Sequence, residues 1–275
     1  MQPLLPISAA RVFFDGIFTE PRVAHPEGVA VHADGSIWCG TETGDLLRID
    51  AEGKTVERLA TTGGFLLGIA FDQAGNCFGC DLKHQAIFRY DATTGAIARF
   101  ASSGIKVPNY PVLDEANGWL YVSDSAGEQG GVFRYDLKNG EGGPWCRDAF
   151  SFANGMLMAK DRSGLFVVES DASCVSFVPF GDAGSAGTKR VLIEGVDVVP
   201  DGLAFAPDGS LLICCYEPSR IYRWREDRGL ELLIEDTHAT MMAHPTNIAL
   251  KGNKLYTANL GRWHITEIDL SMLGS

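Results

Sequence analysis

The chain has 275 residues, 45% of them hydrophobic, with 23 Lys and Arg against 35 Asp and Glu, a formal net charge of −12. That balance, with no basic run, lacks the electrostatic footprint of a nucleic-acid-binding protein. Nowhere do 18 consecutive apolar residues occur, which excludes a membrane-spanning helix; closed all-β architectures reach this length, so residues 1–275 are expected to form one domain without a linker.

Met1 to Ala10 has neither a basic start nor a long apolar stretch, so it does not read as a secretion signal, and a cytoplasmic protein is expected. Next comes a short strand-like segment, Ala10 to Phe14. From there the chain repeats itself. Six apolar segments start with the same step: Glu27-Gly28, Leu67-Gly68, Asn109-Tyr110, Asn154-Gly155, Asp201-Gly202 and Thr246-Asn247, spaced 40, 42, 45, 47 and 45 residues apart. A period of that size marks a radial array of four-stranded sheets, each burying its faces only against its neighbours.

Within the units, turns such as His32-Ala33-Asp34-Gly35-Ser36, Asp72-Gln73-Ala74-Gly75-Asn76 and Ala206-Pro207-Asp208-Gly209-Ser210 supply the positive φ that hairpins demand. Second strands follow at Ile37 to Gly40, Cys77 to Cys80, Trp119 to Val122, Leu165 to Val168, Leu211 to Cys214 and Leu255 to Ala258. Their near-continuous apolarity implies that both faces are covered. Third strands are expected near Leu46, Ala86, Gly131, Cys174, Ile221 and Ile265, and outer strands at Val56 to Ala60, Ala96 to Ala101, Trp145 to Phe150, Arg190 to Glu194 and Leu230 to Glu235. The sixth unit has no outer strand of its own, and Ala10 to Phe14 is expected to provide it. The sequence therefore predicts an all-β, six-bladed β-propeller with four-stranded blades, its ring closed by the N-terminal strand. The seven cysteines, scattered through strands, suit buried free thiols. Cys77 and Cys80 lie on opposite faces of their strand and cannot join in one metal site.

In a propeller the first strand of each blade lines the axis, so residues at one phase of the repeat form a ring. That ring is Glu27, Leu67, Asn109, Asn154, Asp201 and Thr246. Glu27, Asn109, Asn154 and Asp201 offer two carboxylates and two amides, a hard-oxygen set for one divalent ion: Ca²⁺ first, with Mg²⁺ or Mn²⁺ as substitutes. Zinc is less natural without His or Cys in the ring. Taken singly, an Asn or Asp at a strand start is a turn former; four of them on one register point to a shared metal site.

Over essentially its whole length the chain resembles the senescence marker protein, gluconolactonase and luciferin-regenerating-enzyme superfamily, with similarity to strictosidine-synthase-like proteins. The motifs that carry this are Pro26-Glu27-Gly28, Phe152-Ala153-Asn154-Gly155, Pro200-Asp201-Gly202-Leu203 and His244-Pro245-Thr246-Asn247. The resemblance implies that Glu27, Asn154 and Asp201 hold a catalytic divalent metal, Ca²⁺ or Zn²⁺, that Asn109 is a ligand or substrate contact, and that Asp201 is also the base. Three departures are informative. Val107 replaces the Arg of relatives that act on sugar lactones. Ala204 and Ser219-Arg220 replace the second metal site of diisopropyl-fluorophosphatase-like members. Thr246 stands where strictosidine synthases place a catalytic Glu.

The expectation is a metal-dependent lactonase or esterase for a small-molecule substrate, with Asp201 activating water and Asn109 orienting the carbonyl. Phe65, Leu66, Phe152, Met241 and Met242 are candidates for the pocket wall and favour a less polar substrate than a sugar acid. His25 and His244 each stand two residues before an axial position and read as hydrogen-bonded loop histidines. No G-x-S-x-G elbow supports a serine hydrolase. A phosphotriesterase using the same ring, and a binding or cyclase propeller without hydrolysis, are the alternatives.

Overall fold

The computed structural model describes residues 1–127, 130–196 and 199–273. Strand β1 (Ala10–Asp15) precedes the first blade, which is built from β2 (Val29–Val31), β3 (Ile37–Gly40), β4 (Asp45–Ile49) and β5 (Val56–Thr61). Blade 2 comprises β6 (Leu66–Phe71), β7 (Cys77–Asp81), β8 (Ala86–Tyr90) and β9 (Ile97–Ala101), and blade 3 comprises β10 (Pro108–Asp114), β11 (Trp119–Asp124), β12 (Gly131–Asp136) and β13 (Gly142–Cys146). Blade 4 follows with β14 (Ala153–Met158), β15 (Gly164–Glu169), β16 (Cys174–Pro179) and β17 (Arg190–Ile193), and blade 5 with β18 (Val199–Phe205), β19 (Leu211–Glu217), β20 (Arg220–Arg225) and β21 (Gly229–Glu235). Blade 6 holds β22 (Pro245–Lys251), β23 (Lys254–Asn259) and β24 (His264–Asp269), and its outer strand is β1.

All six sheets are four-stranded and antiparallel, and the inner strands β2, β6, β10, β14, β18 and β22 touch in that order, with β22 returning to β2. The molecule is thus the six-bladed propeller that the repeat predicts. Closure works as expected, with Ala10 opposite Ile268 and Asp15 opposite His264.

One outer strand differs from expectation. In blade 3 it is Gly142–Cys146, not Trp145 to Phe150, because the turn through Gly140 (φ 71°) returns the chain at once and sets Gly142 opposite Tyr135. Two glycines and Pro144 disguise this strand in the sequence. A proline is tolerated there because the edge has no further partner to receive its missing N–H.

The core is divided rather than central. Six apolar clusters among the described residues each lie at one junction between neighbouring blades: for example Leu67, Phe78 and Ile87 of blade 2 pack with Leu120, Val122 and Tyr135 of blade 3. All seven cysteines are buried thiols, and all but Cys174 lie within these clusters. No helix of the described residues is long and apolar enough to cross a membrane.

The N-terminal strap reaches further than the sequence suggests. Before β1 begins, the amides of Leu4 and Leu5 donate to the carbonyls of Leu232 and Leu233 on the outer strand of blade 5, at 2.9 and 2.8 Å. Leu5 is 1% exposed and sits in the blade 5–6 cluster, whereas Leu4 is 43% exposed. Leu5→Ala is therefore expected to cost about 2–4 kcal/mol of stability and Leu4→Ala under about 1 kcal/mol. Denaturant unfolding of the two variants beside the parent checks this, and equal small effects would show that the strap is energetically idle.

Candidate metal centre on the propeller axis

A one-residue bulge places the ring. Where the first and second strands of blades 2 to 6 pair, three steps on the first match two on the second: Leu66 faces Asp81 and Ile69 faces Gly79, Pro108 faces Asp124 and Pro111 faces Val122, Ala153 faces Glu169 and Met156 faces Val167. The same shift occurs from Pro200 to Leu203 and from Pro245 to Ile248. Each bulge leaves two residues out of register, and these are the pairs that define the sequence repeat. A bulge turns a side chain away from the sheet face it would otherwise share. In blade 1 the pair Glu27-Gly28 stands just before β2.

The second residue of each pair sets how closely the blades meet. A Cβ on Gly28, Gly68, Gly155 or Gly202 would lie 2.3, 2.7, 2.2 or 2.8 Å from the carbonyl oxygen of Leu67, Asn109, Asp201 or Thr246, the axial residue of the next blade. Only glycine permits that approach. Tyr110 and Asn247 break the pattern, in blades 3 and 6, on opposite sides of the axis.

Glu27, Asn109, Asn154 and Asp201 are each 4–6% exposed, and all but Glu27 carry an oxygen without a partner. Among the described residues the buried side-chain oxygens with no hydrogen-bond partner are Oδ1 of Asn109, Asn154, Asp201 and Asn247. Unpaired buried acceptors are uncommon and costly. The orientation of Asn154 is set by its amide nitrogen, which donates to Ser170 Oγ at 3.0 Å while that hydroxyl donates to the Pro200 carbonyl at 2.7 Å. Ser125 likewise donates to the Ala153 carbonyl at 2.6 Å, and Cys214 Sγ to the Pro245 carbonyl at 3.3 Å. Each of these side chains, in or just after a second strand, thus ties down the residue preceding the axial position of the next blade.

The electrostatics agree. Burial, and then the nearby Asp201 charge, push Glu27 well above the ordinary carboxylate range. Burial pushes Asp201 up to about 7, with a hydrogen bond from the Asn154 side chain pulling the other way. The Tyr110 phenol is pushed up to about 12 by burial and by the charges of Glu27, Cys80 and Asp201, so it stays neutral beside the carboxylates. Two buried carboxylates without a cationic partner resist ionising together. An oxygen-rich set of this kind fits a hard divalent cation. Among the described residues there is no group of three or more His, Cys, Asp and Glu side chains able to hold a metal, so a cation here would need the amide oxygens as well as the two carboxylates.

The other buried acids of this face do different work. Asp124 accepts the amides of Lys106 and Val107 at 2.9 and 2.7 Å and fixes the loop that leads to Asn109. Burial opposes the Asp236 charge, but the amides of Met242, Met241, Thr240 and His238 outweigh it and hold this carboxyl below its usual range. Glu169 accepts Ser151 N at 2.8 Å and pairs with Lys189.

The remaining sequence candidates separate clearly. Leu66 and Met242 are 1% and 0% exposed and belong to core clusters at the blade 1–2 and blade 5–6 junctions, so they present no surface to a ligand. Phe65, Phe152 and Met241 are less enclosed; Phe152 and Met241 are half-buried, and Phe65 packs at the margin of the blade 2–3 core. His25 and His244 are hydrogen-bonded loop histidines: His25 Nδ1 lies 2.5 Å from Glu42 Oε2, with its ring edge-on to Trp263, and His244 packs on Tyr216 with Nδ1 3.3 Å from that residue's carbonyl. His25, Phe152 and His244 share one repeat phase and a left-handed backbone, with φ of 43°, 61° and 54°.

The sequence reading placed Thr246 in the ring and passed over its neighbour. Thr246 Oγ1 is spent on the Glu27 carbonyl at 2.7 Å, and it is Asn247 that reaches the Glu27 carboxylate, Nδ2 to Oε2 at 3.2 Å. An Asn where four other units carry Gly was the available signal.

Residues 126–260 match the profile of the SMP-30/gluconolactonase/LRE-like region, and residues 18–49 that of the strictosidine synthase-like N-terminal region. The chain carries an SMP-30/gluconolactonase/LRE-like region. No curated protein sequence matches it. Among solved structures it is similar to a gluconolactonase from Xanthomonas campestris, at 18% identity over 94% of this chain and 89% of that one, with a TM-score of 0.77. It is also similar to virginiamycin B lyase from Staphylococcus aureus, at 13% identity over 95% and 99% of the two chains and a TM-score of 0.70. A chain of the nidogen/laminin complex matches at 15% identity over 87% and 90%, with a TM-score of 0.72. A gluconolactonase, a lyase and a chain of the nidogen/laminin complex on one frame show the fold alone.

The raised carboxyl has a measurable consequence. A folded-state value near 7 for Asp201, against about 3.9 unfolded, means that the folded chain holds a proton that the unfolded chain releases. The stabilisation is full at low pH, falls as pH rises through that window and is flat above it. In chelator-treated protein, Asp201→Asn is expected to raise Tm at pH 8 and to flatten the slope of Tm between pH 4 and pH 7, read by calorimetry. An unchanged slope would show that Asp201 ionises normally without a cation.

Proposed function

We propose that the protein is a metal-dependent hydrolase that opens a lactone or related ester. The observation that carries this reading is the cluster of buried axial oxygens with no protein partner, set beside two carboxylates that cannot both ionise unaided. Glu27, Asn109, Asn154 and Asp201 would hold one divalent cation, Ca²⁺ or a similar hard ion. When bound, it supplies Lewis-acid polarisation of the carbonyl and stabilisation of the oxyanion.

The chain's own residues do the rest. Asp201 takes the proton from the attacking water. Asn109 orients the carbonyl from within the ring, and its position is fixed by the grip of Asp124 on the preceding loop. Phe65, Phe152 and Met241 form the wall of the mouth, and Val107 offers no cation for a polyhydroxylated acid, so the substrate is a lactone or ester with an apolar body. The SMP-30/gluconolactonase/LRE-like match over residues 126–260 supports the hydrolase class.

The test is a panel of aliphatic and sugar lactones, aryl esters and a phosphotriester, run on native, chelator-stripped and cation-restored protein. Chelation is expected to abolish turnover and Ca²⁺ or Mn²⁺ to restore it. Asp201→Ala should lower kcat by about 10²–10⁴-fold. Turnover that survives both treatments would refute the reading, and activity confined to the phosphotriester would change the reaction class.

A further inference from the structure

Four of the six junctions around the axis are closed by a glycine packed on the carbonyl of the next axial residue. The junction from blade 6 to blade 1 is built otherwise. There the Glu27 carbonyl accepts two hydrogen bonds, from Thr246 Oγ1 at 2.7 Å and from Asn247 Nδ2 at 3.1 Å, and the same Asn247 nitrogen also donates to Glu27 Oε2 at 3.2 Å. We propose that Asn247 is a positioning residue for the axial cation: it locks the Glu27 carboxylate in the orientation in which its remaining lone pairs face the ion. This rests on the metal-centre reading above and assigns it a residue outside the ligand set.

Three observations support the role. The orientation of the amide is dictated by chemistry, since a backbone carbonyl only accepts, so the nitrogen must face Glu27 and Oδ1 must point away. Gly202 makes room for it, because a Cβ there would lie 2.8 Å from Asn247 Cα and 3.2 Å from Asn247 Oδ1. Finally, among the described residues no other side chain donates to the Glu27 carboxylate. Asn247 is therefore the one side-chain donor among the described residues that holds this carboxylate before an ion arrives. Preorganised ligands bind more tightly because the ordering cost is already met, and removing such an outer partner typically lowers metal affinity 10–100-fold.

Thr246 provides the control. It bonds to the same carbonyl but does not touch the carboxylate, so Thr246→Val and Asn247→Leu both weaken the junction while only the second frees the Glu27 side chain. Chelator-stripped parent and variants are titrated calorimetrically with Ca²⁺ and with Mn²⁺, and Tm is measured without metal. The expected result is a 10–100-fold weaker Kd for Asn247→Leu, a Kd within about threefold of the parent for Thr246→Val, and similar losses of Tm. Asn247→Ala removes the same donor with a smaller side chain and is read in the same way if the leucine variant does not fold. Equal affinity in all the proteins would overturn the proposal while leaving the metal centre intact. Parallel losses of affinity in both variants, in step with Tm, would also overturn it by reducing Asn247 to a structural contact. A parent that binds neither cation would remove the metal centre and this proposal together.

Discussion

Six inner strands can meet around one axis only if each lets the next come within van der Waals distance of its backbone. Here that constraint is met by a bulge that takes two residues out of register at the start of each first strand in blades 2 to 6, the second of them glycine in four of the six units overall. The first residue of the pair stands on the axis as a consequence of blade packing, whatever its chemistry. Leu67 at this phase packs into the blade 2–3 core; Glu27, Asn109, Asn154 and Asp201 bring hard-oxygen donors. Chemistry is thus inherited from architecture, and the side chains vary on a fixed frame.

The cost of the polar choice is visible in the same place. Buried acids elsewhere on the face are neutralised by amides or by Lys189, so that Asp236 and Glu169 ionise below the usual range. Glu27 and Asp201 have no cationic partner, and the side-chain amides of Asn247 and Asn154 do not offset their burial. Two buried carboxylates without a cationic partner cost stability, and that cost is the observation behind the proposed site.

Much of this was legible in the sequence, because the repeat is recorded in residues whose roles are local and strong: Gly where backbones touch, Asp-Gly and Ala-Gly in the hairpin turns, β-branched and aromatic runs in the second strands. The axial residues were found by phase alone. What escaped detection depended on partners distant along the chain. The outer strand of blade 3 is hidden by Gly142, Gly143 and Pro144, which read as loop until Tyr135 and Arg134 pair with them. Leu66 and Met242 cannot be told from pocket residues by composition, since a loop that folds inward and one that lines a mouth use the same apolar side chains. Asn247 contacts a residue 220 positions away; the break in the glycine pattern marks its position but not its partner.

The strap that completes blade 6 also brings the beginning and end of the chain side by side, Ala10 opposite Ile268. The connection between blades is therefore a matter of covalent convenience rather than of geometry. A short peptide joining residue 273 to the N-terminus, with a new break in an exposed outer turn such as Thr93-Thr94, would give a circular permutant with the same ring and the same centre. In such a molecule every blade would be covalently continuous except the one chosen for the cut, so the location of the seam becomes a variable that can be moved around the axis.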